Sequence, residues 1–219
     1  MIGTRMKFQV LAIAAFIVSV SANSTICNNN ATLSCHGSSE IPNCCYNYPG
    51  GALIQTQFWD NDPSTGPADS WTIHGLWPDN CDGTYQSRCD SSRNYGSVTG
   101  ILQTQNRTEL LSYMKHYWLD INGDDESFWE HEWQKHGTCI NTIEPSCYTE
   151  YTPEEEVGDF FQKVVDLFKG LDTYKALSNA GITPDRSTTY SLSKIQSALS
   201  ALHGSKAYVG CETDELKQV

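Results

Sequence analysis

Nine cysteines punctuate this chain, at positions 27, 35, 44, 45, 81, 89, 139, 147 and 211, and they constrain its fold more than any other feature. Cys44 and Cys45 are adjacent, and neighbouring cysteines rarely meet the geometry of a disulfide with each other. Each must therefore reach a different partner. No C-x-x-C pair occurs, so neither a zinc ribbon nor a thioredoxin-type motif is supported. Eight of the nine can close four bridges, in any of many connectivities, and one is left over. Cys211 stands near the end, so its partner is expected in sequence beyond Val219. Cysteines used this densely belong to an oxidising compartment.

The first 22 residues agree with that address. Arg5 and Lys7 precede an apolar run from Phe8 to Val20, and Val20-Ser21-Ala22 offers the small side chains of a cleavage site. The run is shorter than the ~20 residues of a membrane span. A signal peptide over 1–22 and one domain over 23–219 are expected, in a secreted or vacuolar protein with no membrane anchor. Asn-x-Ser/Thr sequons stand at Asn23, Asn30 and Asn106. Asn30 and Asn106 are the expected glycosylation sites, Asn23 lying close to the cut. The formal net charge is −12 over 219 residues, which excludes nucleic-acid binding by a broad basic surface. Any such chemistry must sit in a local pocket.

Two strands are predicted in the turn-rich first third, Ala52 to Trp59 and Ser70 to Ile73, the second leading into His-Gly-Leu-Trp-Pro. Helical signals fill the rest. Thr108 is placed to cap a helix carrying Leu110, Leu111, Met114 and Trp118, and Phe128 to His136 reads as a shorter helix. Pro153 to Lys169 has an apolar stripe of Val157, Phe160, Phe161, Val164 and Phe168 behind a Thr152/Glu155 capping box. A last helix around Leu192, Ile195, Leu199 and Leu202 stops near Gly204. The class is α+β with a modest sheet.

Two segments carry the chemistry, 70–81 (SWTIHGLWPDNC) and 128–139 (FWEHEWQKHGTC). Together they hold three of six histidines and four of six tryptophans, and each ends in a cysteine. At about 100° per residue, Glu132 and His136 share one helical face, His131 and Lys135 the next, with Phe128 between them. Trp129 and Trp133 fall at the edge and are expected in the core. His131-Glu132 followed by His136 does not make a zinc motif. Its histidines stand at i and i+5, about 140° apart rather than on one face, and Lys135 beside them repels a cation. No metal or cofactor is expected. What remains is a two-histidine acid–base pair, His74 and His136, with Glu132 and Lys135 stabilising charge on a phosphoryl group.

Those two segments resemble the paired active-site motifs of the ribonuclease T2 family, in its secreted fungal branch. His-Gly-Leu-Trp-Pro (74–78) and His-Glu-Trp-x-Lys-His-Gly-Thr-Cys (131–139) match without a gap, and the resemblance runs from about Cys27 to Val219. It includes Gln-Phe-Trp (57–59), the helix from Pro153, Tyr-Lys-Ala (174–176) and Gly-Ile-Thr-Pro (181–184). The resemblance implies a disulfide-stapled single domain with a central antiparallel sheet flanked by helices. It implies metal-free endonucleolytic cleavage of single-stranded RNA through a 2′,3′-cyclic phosphate, with low base specificity. DNA, lacking the 2′-OH, should not be cut. A monomer is expected.

Carried over by motif position, His136 is the general base and His74 the general acid. Glu132 and Lys135 stabilise the phosphorane, and His131 binds phosphate. Trp77, Asp79 and Tyr85 resemble the main base pocket, Gln57 and Phe128 parts of a second. The implied disulfides are Cys27–Cys45, Cys35–Cys81, Cys44–Cys147 and Cys89–Cys139. Two departures stand out. Leu119 to Asn122 replaces a more polar loop of fungal relatives, and relatives continue past Val219 for a further strand or more, whose absence would expose a sheet edge. The competing expectation is a secreted binding or toxin-like protein on the same fold that acts without catalysis.

Overall fold

The computed structural model describes residues 27, 33–36, 42–59, 65–185, 187–205, 207–212 and 215–218. The signal segment and the sequons at Asn23 and Asn30 lie outside them. Strands β1 (Ala52–Phe58) and β2 (Thr72–Asp79) pair antiparallel along their length. Six helices follow: α1 (Val98–Thr104), α2 (Thr108–Tyr117), α3 (Asp125–Lys135), α4 (Glu155–Gly170), α5 (Thr173–Asn179) and α6 (Leu192–His203). Strands β3 (Gly210–Glu212) and β4 (Glu215–Gln218) complete a sheet of order β2-β1-β4-β3, every pairing antiparallel. This is the α+β architecture, and Gln218 of β4 reaches it by pairing with Phe58 of β1.

The second strand is longer than its sequence suggests. It runs through the whole His-Gly-Leu-Trp-Pro segment instead of ending at Ile73. The reason lies in the register: Thr56 faces Gly75 and Gln57 faces Ile73, so His74 is an extra, unpaired residue in a β-bulge. Strict alternation would send positions 73 and 76 to opposite faces. The extra residue brings Ile73 and Leu76 into the same core, leaving His74 and Trp77 to turn toward the site.

Helix starts also differ in instructive ways. α3 begins before Phe128 because Asp124 caps it, accepting from the Ser127 N–H, while Asp125 and Glu126 suit the positive end of the helix dipole. Thr108 is the first residue of α2, not its cap, and Arg107 before it pairs with Asp159 of α4. α4 starts at Glu155, past Pro153. Thr152 Oγ1 donates to the Glu155 side chain at 2.8 Å, so the expected capping box closes between side chains and not onto the backbone. α6 ends at Gly204, whose φ of 69° suits a residue without Cβ.

The main core gathers Ile73 and Leu76 with α1, α2, α3 and the whole α4 stripe, Val157, Phe160, Phe161, Val164 and Phe168. Trp129 and Trp133 are buried there as the helical wheel requires, and their indole N–H groups donate to the carbonyls of Trp118 and Arg93. A smaller cluster joins Trp71, Leu177, Ile182, Ile195, Leu199 and Val209. Among the described residues there are four disulfides, the same four pairs that the resemblance implies: Cys27–Cys45, Cys35–Cys81, Cys44–Cys147 and Cys89–Cys139. Cys35–Cys81 pins the chain just past β2, and Cys89–Cys139 pins it just past α3. Asn106 is exposed in the turn between α1 and α2, at a φ of 56°. Among the described residues no helix is long and apolar enough to cross a membrane.

Candidate active site

Strand β2 and helix α3 bring the two chemistry-bearing segments into contact. Glu132 is their junction: its carboxyl is almost fully buried, at 1% exposure. Oε1 lies 3.6 Å from His74 Nε2, and Oε2 accepts from the Trp77 indole at 3.1 Å. Gly75 makes this approach possible. A Cβ there would stand 1.9 Å from Glu132 Oε2, so only glycine lets the carboxyl rest against the strand. His136 follows the last helical residue of α3, and its N–H keeps the helical bond to the Glu132 carbonyl at 3.1 Å. Its ring stacks on Trp77, with centroids 5.1 Å apart. His136 Nε2 is buried and has no hydrogen-bond partner among the described residues.

Burial and mutual repulsion set the proton affinities. Burial lowers His136 to about 3 and His74 to about 4, and in each case the charges of Lys135 and His131 lower it further. Burial pushes Glu132 up to about 7, against the opposing pull of the Trp77 N–H and Lys135. His131 is exposed at the surface and is lowered by partial burial, then by Lys135 and Arg88. Two neutral imidazoles and one protonated carboxyl therefore converge at mildly acidic pH. Among the described residues no group of three or more His, Cys, Asp or Glu side chains is placed to hold a metal ion.

The sequence model of the Ribonuclease T2 family matches residues 50–219, the span that holds both segments. The chain belongs to the ribonuclease T2 family. Ribonuclease M of Aspergillus phoenicis is 65% identical over 196 residues, covering 88% of this chain and 82% of that protein. Ribonuclease T2 of Aspergillus oryzae is 63% identical over 195 residues, covering 88% and 71%. The solved structure of Actibind, a T2 ribonuclease, superposes with a TM-score of 0.86 at 65% identity, over 90% of this chain and 84% of that one. That of RNase NT in complex with 5′-AMP gives 0.56 at 28% identity, over 75% and 80%.

The remaining residues that resemble T2 base sites are spread around this junction. Trp77 packs on His136, and Asp79, its carboxyl raised by burial, pairs across a single bridge with Tyr85, which is 68% exposed. Phe128 packs on the other histidine, its ring centroid 5.8 Å from that of His74. Gln57 is buried, its amide donating to Gln55 Oε1 at 2.9 Å and to the Leu171 carbonyl at 3.3 Å. This side chain is engaged with the protein itself. The roles expected from motif position do not include Phe58, which stacks on His74 at 4.2 Å, or Gly75. Phe58 sits inside the Gln-Phe-Trp run, but nothing in its spacing marks it as a neighbour of His74 across the sheet.

Proposed function

We propose that this chain is a secreted endoribonuclease that cleaves single-stranded RNA by metal-independent transesterification, with low base specificity. The carrying observation is the pair of imidazoles set about one buried, proton-holding carboxyl. His136, neutral and with Nε2 without a hydrogen-bond partner among the described residues, takes the proton from the 2′-OH. The 2′-oxygen attacks phosphorus, and the bond to the 5′-oxygen breaks as that oxygen receives a proton from His74. The products are a 2′,3′-cyclic phosphate and a free 5′-OH. Water then opens the ring with the two histidines in exchanged roles.

Glu132 at about 7 still holds its proton at acidic pH, so it can donate to a non-bridging oxygen as negative charge develops. Lys135 adds a positive charge, and His131 holds the phosphate. A phosphate beside His74 offsets the cationic repulsion and raises its proton affinity, so the acid is charged when it is needed. A catalytically idle binding protein has no use for this arrangement.

Trp77, Asp79 and Tyr85 hold the base of the attacking nucleotide, because Trp77 lies on the base His136. Phe128 holds that of the leaving nucleotide, because it lies on the acid His74. Gln57 joins it only after giving up its present bonds. A signal peptide over 1–22 leads a monomeric domain out of the cell, glycosylated at Asn30 and Asn106. The test is to incubate the secreted chain with matched RNA and DNA oligonucleotides near pH 5 in EDTA. Cyclic-phosphate ends from RNA alone are expected; loss of cleavage in EDTA, or equal cleavage of DNA, overturns the proposal.

A further inference from the structure

Arg88 has no part in the steps above, yet it is built into the frame of the site. Its backbone N–H donates to the Lys135 carbonyl at 2.9 Å, from a left-handed φ of 54°. The next residue is fixed by the Cys89–Cys139 disulfide. The segment after β2 is thereby tied to the last turn of α3, and the exposed Arg88 side chain stands close enough to His131 to lower its proton affinity. Arg88 and Lys135 thus bring two positive charges to one edge of the site, beside His131. Among the described residues neither Arg88 nor Lys135 makes an ion pair with a carboxylate, in a chain with 26 acidic side chains. Lys135 is favoured by the negative end of its own helix. Arg88 comes from a different segment, and like charges gathered without a counter-ion repel each other until an anion joins them.

We infer that Arg88 forms a second phosphate subsite, next to the one that His131 serves, which takes the RNA phosphate on the 5′ side of the attacking nucleotide. The side follows from the chain. Arg88 lies three residues beyond Tyr85, on the segment assigned to the attacking nucleotide's base. A guanidinium is suited to this task, since its planar fork binds a phosphate at two oxygens. The inference rests on the ribonuclease reading above.

The test compares the dinucleotide ApA with pApA, which carries an added 5′-phosphate, and ApAp, which carries an added 3′-phosphate. In the unmodified protein, kcat/KM for pApA is expected to exceed that for ApA by about threefold to tenfold. Arg88→Gln keeps the backbone bond to Lys135 and is expected to bring that ratio close to one. Arg88→Lys restores part of it, and the ratio of ApAp to ApA does not respond to Arg88. Lys163→Gln, which removes an exposed cation of α4, leaves all ratios unchanged and so separates the subsite from net charge. A pApA to ApA ratio unaltered by Arg88→Gln, or an Arg88-dependent gain for ApAp instead, overturns the subsite alone. Failure of the unmodified protein to cleave ApA overturns the ribonuclease reading and the subsite with it.

Discussion

Trp77 lies face to face with His136, ring centroids 5.1 Å apart and planes 18° apart, while its indole N–H donates to Glu132 Oε2 at 3.1 Å. A residue assigned by motif to base binding is thus also part of the frame that holds His136 and the buried carboxyl. Trp77→Phe keeps a flat ring but loses the donor. Its kcat is expected to fall about tenfold, the cost of one hydrogen bond to a buried acid, with KM changed much less. A rise in KM at constant kcat would confine Trp77 to base binding.

The pH profile should carry the signature of two suppressed imidazoles. In the proposed mechanism His136 acts neutral, and it is lowered to about 3; His74 acts protonated, and it is lowered to about 4. In the free protein kcat/KM should rise through the first value and fall through the second, giving an acidic optimum. Bound phosphate raises His74, so the falling limb of kcat should sit at higher pH than that of kcat/KM. Coincident falling limbs in the two profiles would contradict this account.

Replacing Glu132 should separate activity from stability. Its folded-state value is about 7 against an ordinary 4.5. As pH rises between these, the unfolded chain releases the proton while the folded one keeps it, so folding loses stability through that window. Glu132→Gln cannot titrate. Chemical denaturation should find it close to the parent at pH 4 and more stable by roughly 3 kcal/mol at pH 8, although cleavage falls at least about a hundredfold.

Gly75→Ala places a methyl group where Glu132 Oε2 now stands. The carboxyl must retreat from the strand, giving up the Trp77 bond and its place beside His74. A stability loss of roughly 1–3 kcal/mol is expected from the overpacking, together with a fall in kcat like that of Trp77→Phe. Full activity in Gly75→Ala would show that Glu132 does not need this position.

The Cys89–Cys139 bridge closes a loop with a sequence separation of 50 and fixes both Arg88 and the residues after His136. Cys89→Ser with Cys139→Ser should cost about 3–4 kcal/mol in denaturant unfolding. It should also lower kcat/KM for a protein still folded under assay conditions, since the histidine loses its anchor. Unchanged kinetics would show that α3 alone positions His136.

How much of this could be read from residues alone depends on range. The stripe of α4, the burial of Trp129 and Trp133 and the shared face of Glu132 and His136 follow from helical periodicity, a local property. Gly204 ends α6 for an equally local reason. The course of β2 did not follow from local signals: whether a strand continues depends on its partner's hydrogen bonds, and the bulge at His74 exists only in the register with β1. Asp124 as the cap of α3 was hidden in a polar run that reads as loop.

Residue types and spacing by themselves determined the α+β class, the helical faces and the two short motifs that carry His74 and His136. Only the tertiary structure decided how those motifs meet. Side chains from β2 and α3 come within hydrogen-bond reach because a bulge turns His74 outward and a missing Cβ admits Glu132, and neither is a property of one segment. The proton affinities belong to the same level. Desolvation and the charges of neighbours distant in sequence move His74, His136 and Glu132 away from their ordinary values, and no isolated stretch of chain carries that information.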